Sequence, residues 1–424
     1  MIRHDVAADL RGRRSSDGYL LPSYDDYCFG GVTATAASVL GVDLGRTLPA
    51  DVFEGVETDV RNVVVVLVDG FGFGRFVDLR DDHPFLDALA SRGTVTPLTS
   101  MYPSETAAAV TTLHTASLPV EHGLLGWNLY VEEADLVFQP LPFRTPDGRN
   151  PADVAGRELD GDLVVAADPV YPTLRREGVS PTTIQPSGTV GTPYSSHTLA
   201  GAQQLGYSNV PDAALKLRQR LEADGDDRRY VLGYVPTVDS AAHREGVRSD
   251  RYRSQALAVC DVLRRELVDS LDPDVAAETL LVLTADHGLL DTDPAEQVDL
   301  LGFDVVADSL RTDAAGEPIP PVGSPRNVHL HLREGTAATV RDALSARLDA
   351  RVYTRGEALD AGLFGDAAPG PTFERRCGDV VLTHRSRQVW YDDPNRSSFV
   401  GVHGGLHPDE MLVPFAAVRL GDLQ

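Results

Sequence analysis

Residues Arg61 to Gly70 read Arg-Asn-Val-Val-Val-Val-Leu-Val-Asp-Gly. Six consecutive apolar residues, mostly β-branched, mark a strand covered on both faces, the condition of a parallel sheet flanked by helices. The run stops abruptly at Asp69-Gly70. In an open α/β sheet, ligands sit in the crevice beyond the carboxyl ends of the strands. Asp69 is therefore either a carboxylate delivered to the rim of a crevice or a simple turn residue. The same pattern recurs twice. Tyr230 to Val235 leads into Pro236-Thr237-Val238-Asp239-Ser240-Ala241-Ala242-His243, and Thr279 to Thr284 leads into Ala285-Asp286-His287-Gly288. A helix is expected between them, from about Arg251 to Ser270. Strand, helix and strand with acidic residues at each strand exit is a βαβ pattern.

A hydroxyl joins these carboxylates. In Tyr102-Pro103-Ser104-Glu105-Thr106-Ala107-Ala108-Ala109-Val110, Pro103 stops the preceding strand and the alanines favour a helix. Thr106 falls at the helix start, where free N–H groups and the helix dipole attract an anion. It is read as an N-cap or as a nucleophile. Ser100 and Ser104 are rivals for the second role.

The chain divides as follows. Residues 1–60 form a segment packing on the core, with a short helix over Thr33–Leu40. Residues 61–128 form the first part of the core. From 129 to 229, Pro and Gly are frequent and periodicity weakens, which reads as an insertion capping the site, with a helix over Val210–Ala223. The core resumes over 230–324. Residues 325–395 read as a small α+β subdomain, with strands at Asn327–Leu332, Arg351–Tyr353 and Gly378–Thr383 and a helix at Thr336–Leu348. Residues 396–424 return to the core with a last strand at Met411–Val418. The expected architecture is an α/β/α sandwich around a mostly parallel sheet. A hydrophobic content of 42% is enough for a large core.

Asp69, Asp239, His243, Asp286, His287 and His403 all stand at junctions between loop and sheet. Asp239 and His243 are four apart, so on a helix they face the same way about 5–6 Å apart at Cβ. Mixed carboxylate and imidazole donors suit Zn²⁺ or Mn²⁺. Two such ions about 4 Å apart can clamp both oxygens of an in-line phosphoryl displacement. His114, His122, His329, His331 and His407 are assigned to packing, turns or an outer shell.

In order and spacing, these residues resemble the alkaline phosphatase superfamily, and within it the type I phosphodiesterase/nucleotide pyrophosphatase family. The elements that carry the resemblance are Asp69-Gly70, the Thr106 helix with Thr112, Thr115 and Pro119, His122-Gly123, Asp239-x-x-x-His243, Asp286-His287-Gly288 and His403-Gly404. The resemblance spans about 61–128, 230–292 and 400–418. It implies Asp69, Thr106, Asp286 and His287 around one metal, and Asp239, His243 and His403 around the other. It implies Thr106 as the nucleophile of a covalent phosphothreonine route. The family's phosphate-binding Asn aligns with Trp127 or, one residue on, with Asn128, and Asn128 is the expectation. The sequence departs from the family in placing Pro103 before Thr106 and three alanines after it. The implied activity is that of a phosphodiesterase or nucleotide pyrophosphatase acting on a small phosphoester. A phosphomonoesterase, a phosphonate hydrolase, or an idle metal-binding interaction protein are the alternatives. No Cys/Ser-x-Pro-x-Arg sequence is present, which argues against a sulfatase.

The net charge is −25, with 63 acidic residues spread along the chain, and lysine occurs once, at Lys216. Uniform like charge keeps a protein soluble but strains its compact state, and salt screens that strain. The composition resembles proteins of salt-in halophilic archaea; an acidic surface for a basic partner is the other reading. Such a surface disfavours nucleic acid, whose phosphates reward a basic face. No strand-length apolar run approaches the roughly 20 residues of a membrane helix. Met1-Ile2-Arg3-His4-Asp5 lacks the apolar core of an export signal. Cys28, Cys260 and Cys377 are too scattered for a disulfide framework. A cytoplasmic protein is expected. The charge predicts a melting temperature that rises from dilute buffer to molar KCl; an unchanged or lower value would contradict it.

Overall fold

The computed structural model describes residues 1–225, 227–390 and 398–424. Seven strands make the main sheet: β1 (Asn62–Val68), β2 (Thr94–Thr99), β3 (Val179–Pro186), β4 (Gln203–Tyr207), β5 (Arg228–Val235), β6 (Thr279–Thr284) and β7 (Leu412–Arg419). Their order is β2-β7-β6-β1-β5-β3-β4. β1 pairs in parallel with both β5 and β6, and every residue of β1 is buried. That double enclosure is why its sequence is continuously apolar rather than alternating. β7 alone runs against its neighbours β2 and β6. The sheet is thus mostly parallel and the fold is α/β, as expected.

This topology delivers the site. β1, β5 and β6 end at one rim, where Asp69, Asp239 with His243, and Asp286 with His287 follow. β7 is reversed, so its start meets the same rim, and His403 precedes it in the chain. Edge strand β2 carries Pro97, opposite Pro414 of β7; a missing ladder donor is tolerated best at an edge.

Two boundaries differ from the sequence reading. Residues 129–229 are not one insertion, because β3 and β4 join the main sheet. β3 reads Val-Ser-Pro-Thr-Thr-Ile-Gln-Pro, and β4, a half-exposed edge, reads Gln-Gln-Leu-Gly-Tyr. The stretch before Val179 lies outside the sheet and includes a hairpin at Leu129–Val131 and Leu136–Phe138. The small subdomain also starts earlier than 325. Its antiparallel sheet runs Val322–Ser324, Asn327–Leu330, Val380–His384, Ala350–Thr354, backed by a helix at Ala337–Ser345. Its apolar core draws on Val298, Leu300, Val306 and Leu310. The boundary read at 395/396 lies outside the described residues.

The helix read at 251–270 is an α-helix over Asp250–Arg264 whose last turn, Arg265–Asp269, widens to π geometry. The N-terminal segment holds the short helix as Val32–Val39 and a further one at His4–Gly12. It reaches across the molecule: Tyr19 Oη donates to Thr383 O at 3.1 Å, and Tyr24 Oη to Leu363 O at 3.0 Å. No helix among the described residues is long and apolar enough to cross a membrane.

Burial holds several imidazoles neutral. His114, His122, His329 and His331 are pushed down to about 3 and His384 to about 4. In the unfolded chain these groups bind protons near pH 6.5, so their folded-state depression contributes stability above that pH which is lost as pH falls toward 4 and 3. Denaturant midpoints are therefore expected to fall steadily below pH 6.5. Constant stability from pH 7 to pH 4.5 would contradict this.

Candidate active site

Helix α1 spans Thr106–Thr115, and all ten of its residues are buried. This accounts for the alanine run, since small side chains let a helix pack closely on every side. Its threonines satisfy their hydroxyls locally: Thr111 Oγ1 donates to Ala107 O at 2.7 Å and Thr115 Oγ1 to Thr111 O at 2.8 Å. Thr106 is the first helical residue. Glu105 holds the N-cap position, and the Thr106 side chain makes no capping bond. Its hydroxyl points instead to the rim, 3.1 Å from His287 Nε2 and 3.5 Å from Asp69 Oδ1. Ser100 and Ser104 are used otherwise: Ser100 Oγ donates to Asp286 O at 2.6 Å, and Ser104 Oγ to Gly405 O at 2.7 Å.

Helix α2, Thr237–Glu245, starts directly after β5 and carries the i, i+4 pair. His243 Nε2 lies 3.1 Å from Asp239 Oδ2, and His403 Nε2 lies 3.7 Å from Asp239 Oδ1. The Asp239 N–H donates to Asp69 O at 3.1 Å, which locks α2 to the end of β1. At that junction Gly70 takes φ +70°, and a Cβ there would meet Leu289 Cδ1 at 2.7 Å and Asp239 Cβ at 3.0 Å. The Asp-Gly turn thus needs glycine for both conformation and space.

His287 Nε2 lies 3.3 Å from Asp69 Oδ1 and 3.5 Å from Asp286 Oδ2. The His287 and His403 rings stack at 3.6 Å between centroids, 11° apart. One set of donor atoms, from Asp239, His243 and His403, is mutually close enough to hold an ion; a second is formed by Asp69, Asp239 and His287. The first is the trio expected from the sequence. Asp286 stands beside the second set: its Oδ1 accepts from the Gly70 and His287 N–H groups, and its Oδ2 lies 3.5 Å from His287 Nε2.

Donor chemistry tests whether cations fit. Each of the three imidazoles has its Nδ1 on a backbone carbonyl: His243 on Gly401 at 2.7 Å, His287 on Gly288 at 2.9 Å, His403 on Ser104 at 3.3 Å. A carbonyl only accepts, so the proton sits on Nδ1 and the Nε2 lone pair faces the carboxylates. Asp239 Oδ1 and Asp286 Oδ2 are buried and have no hydrogen-bond partner among the described residues. Burial, then Asp286 and Asp239, push the Asp69 carboxyl well above its usual range. Burial pushes Asp239 upward too, but His243, His403 and His287 hold it below the ordinary value. Burial and His287 push His403 well below 6.5. Lone pairs and crowded carboxylates turned inward fit divalent cations.

The cluster opens into a cavity of about 280 Å³ lined by Asp69, Glu105, Thr106, Trp127, Tyr234, Asp239, His243, Trp390, Phe399 and His403, among others. Tyr234 was not singled out by sequence, where it reads as an ordinary strand former. Its Oη donates to Asp69 Oδ2 at 2.6 Å. A larger, shallower crevice of about 690 Å³ between Tyr130, Arg149 and Ile319 contains none of these residues.

A family model for type I phosphodiesterase / nucleotide pyrophosphatase matches residues 63–406. The chain belongs to that family. It is 25% identical over 290 residues to ectonucleotide pyrophosphatase/phosphodiesterase 1 of Saccharomyces cerevisiae, covering 62% of this chain. It spans 38% of the length of that curated relative. Among solved structures, it resembles murine ectonucleotide pyrophosphatase/phosphodiesterase 5, solved as an inactive threonine-to-alanine variant with AMP. The TM-score is 0.63 at 16% identity, over 84% of this chain and 87% of that one. The human counterpart gives 0.63 at 18% identity, over 84% and 87%. A phosphonoacetate hydrolase from Sinorhizobium meliloti with phosphonoacetate gives 0.59 at 17% identity, over 86% and 94%. These likenesses extend the family's fold to this chain.

The two candidates for the family's phosphate-binding position, Trp127 and Asn128, lie side by side in the chain. Trp127, not Asn128, lines the cavity. The Asn128 backbone bridges to Gly323, and its Oδ1 accepts from Gln139 Nε2 at 3.3 Å. The set-aside histidines have structural partners: His122 joins Thr112 Oγ1 to the Leu124 N–H, His114 meets Tyr171 Oη, His329 accepts from the Gly378 N–H, His407 caps Pro408–Met411, and His331 packs on the Tyr130 ring.

The crowded carboxylates give a stability signature. Asp69→Asn retains an acceptor for Tyr234 and removes one charge, so in chelator it is expected to unfold at higher urea than the parent, by about 0.5–2 kcal/mol. Added Zn²⁺ should stabilise the parent more than the variant. A less stable Asp69→Asn protein in chelator would show that the cluster is not strained.

Proposed function

We propose that the protein hydrolyses a phosphate diester through a covalent phosphothreonine on Thr106. The observation that carries this reading is the Thr106 hydroxyl at the N-terminus of α1, with no structural partner of its own beyond His287 and Asp69 in the cavity. The inactive threonine-to-alanine form of the murine relative supports it.

In this reading Asp239, His243 and His403 would hold one divalent ion, zinc or manganese, and Asp69, Asp286, His287 and Thr106 would hold another. Bound divalent ions polarise phosphoryl oxygens and lower the pKa of a coordinated hydroxyl. Asp69 and His287 orient Thr106 Oγ1 toward phosphorus. The free N–H groups of the first turn of α1 face the non-bridging oxygens, where negative charge grows in the transition state. Oγ1 forms a bond to phosphorus as the bond to the leaving ester oxygen breaks, and that oxygen departs with the electron pair and gains a proton. Water then attacks phosphorus, the Thr106 O–P bond breaks, and the hydroxyl recovers its proton. Asn128, next in the chain to the cavity-lining Trp127, would bind a non-bridging oxygen as well.

The walls also bear on substrate class. Among the described lining residues there is no Arg or Lys, while Asp69, Glu105 and Asp239 are acidic. A monoester dianion favours an additional fork of arginine donors; a diester monoanion does not need it. We therefore expect kcat/KM for bis-p-nitrophenyl phosphate to exceed that for p-nitrophenyl phosphate by about tenfold or more, which is about 1.4 kcal/mol in transition-state stabilisation. A monoester preference, or phosphate release from phosphonoacetate at a higher rate, would move the activity to a phosphatase or a phosphonate hydrolase.

Thr106→Ala should abolish turnover while Zn²⁺ content measured on the same sample is retained. Because Thr106 caps nothing, its stability should stay within about 0.5 kcal/mol of the parent. If Thr106→Ala keeps the parental rate and Ser104→Ala loses it, the nucleophile is misassigned.

A further inference from the structure

Arg326 and Glu410 are both fully buried and lie outside the cavity lining. Arg326 sits in the turn joining the first two strands of the small subdomain sheet, and Glu410 in the return segment that carries His403. Arg326 Nε meets Glu410 Oε1 at 2.6 Å and Nη2 meets Oε2 at 2.7 Å, a forked, charge-assisted pair. The remaining guanidinium donors go to Arg387 O at 2.8 Å, His384 O at 2.9 Å and Arg385 O at 3.1 Å. A buried pair like this is weak evidence for stability, because desolvation offsets its attraction. Its connections suggest another use.

The Glu410 carboxylate also accepts from the Gly405 N–H at 3.0 Å and the His407 N–H at 3.2 Å, on the loop just beyond His403. The Glu410 carbonyl accepts from the Gly288 N–H at 2.8 Å, next to His287. One residue therefore grips both loops whose imidazoles stack at 3.6 Å. The chain of bonds closes through the nucleophile segment: Gly405 O accepts from Ser104 Oγ, and Ser104 O holds His403 Nδ1. There is little slack. A Cβ on Gly405 would lie 3.1 Å from both Arg326 Nη2 and Glu410 Oε2.

We infer that Arg326 and Glu410 are positioning residues, a strut from the subdomain that sets the register of His287 and His403. The inference rests on the proposed metal site for its consequence, though not for its geometry. Hydrogen-bonded groups behind ligands typically change metal affinity 10–100-fold when removed.

The test compares Glu410→Gln, Arg326→Met and Gly405→Ala with Arg376→Met. Arg376 is an equally buried arginine, but it bonds to the carbonyls of Gly123, Leu163 and Val164, away from the rim. Zn²⁺ affinity is measured on folded protein by competition with a chelator, and crystal structures of the folded variants give the ring separation. Glu410→Gln and Gly405→Ala are expected to weaken Zn²⁺ binding about tenfold or more and to part the His287 and His403 rings. Arg376→Met is expected to lower melting temperature alone. If Arg326→Met does not fold, Gly405→Ala, which keeps both charges, decides. Parental Zn²⁺ affinity with unmoved rings in Glu410→Gln and Gly405→Ala would overturn the inference. A parent protein that binds no Zn²⁺ would overturn the proposed metal site instead, and ring positions in the variants would then decide the strut by themselves.

Discussion

Three carboxylates crowd into a buried space at the end of a parallel sheet, and much of the architecture follows from keeping them there. Asp69 and Asp286 are out of water, and Asp239 nearly so. Like charges at such range in low dielectric repel strongly unless a proton or a cation intervenes. The fold opposes this with backbone N–H donors, the Tyr234 hydroxyl and three imidazoles whose tautomers are set by main-chain carbonyls. None of these neutralises the group. The cluster is thus built for a cation, and strain of this kind concentrates at functional sites.

The same constraint explains the reversed strand. Parallel β1, β5 and β6 supply ligands from their exits, and the chain must then travel back. β7 enters the sheet antiparallel, so the segment before it, with His403, reaches the rim without another crossover helix. The subdomain abuts this segment through Arg326. The proposed strut makes the subdomain's contribution to the site mechanical as well as steric.

The proposed chemistry uses little of the chain directly. A hydroxyl on the first residue of a fully buried helix is held in place by packing, not by capping. Alanine at 107, 108 and 109 is what lets that helix sit so deep. In the proposed reading, acidic cavity walls, with aromatic Trp127, Tyr234, Trp390 and Phe399 around them, would leave recognition to shape and to divalent ions, since no basic side chain is among the described lining residues.

Read alone, the sequence determined the central strand, the three strand exits with their carboxylates, the i, i+4 pair on α2 and the helix at Thr106. Each of these is a local signal: unbroken apolar runs, Asp at strand ends, alanine after proline. The family followed from their order. Tertiary structure decided what local signals do not encode. β3, which bears prolines, and the polar edge strand β4 look like loop, and only the pairing of β3 with β5 and of β4 with β3 reveals them. Tyr234 looks like any strand tyrosine until its hydroxyl meets Asp69 across the sheet. Asn128 is bridged to Gly323, nearly two hundred residues away, a pairing that no local signal encodes. The Arg326–Glu410 pair joins residues 84 apart, and burial of both charges is a property of the assembled fold alone.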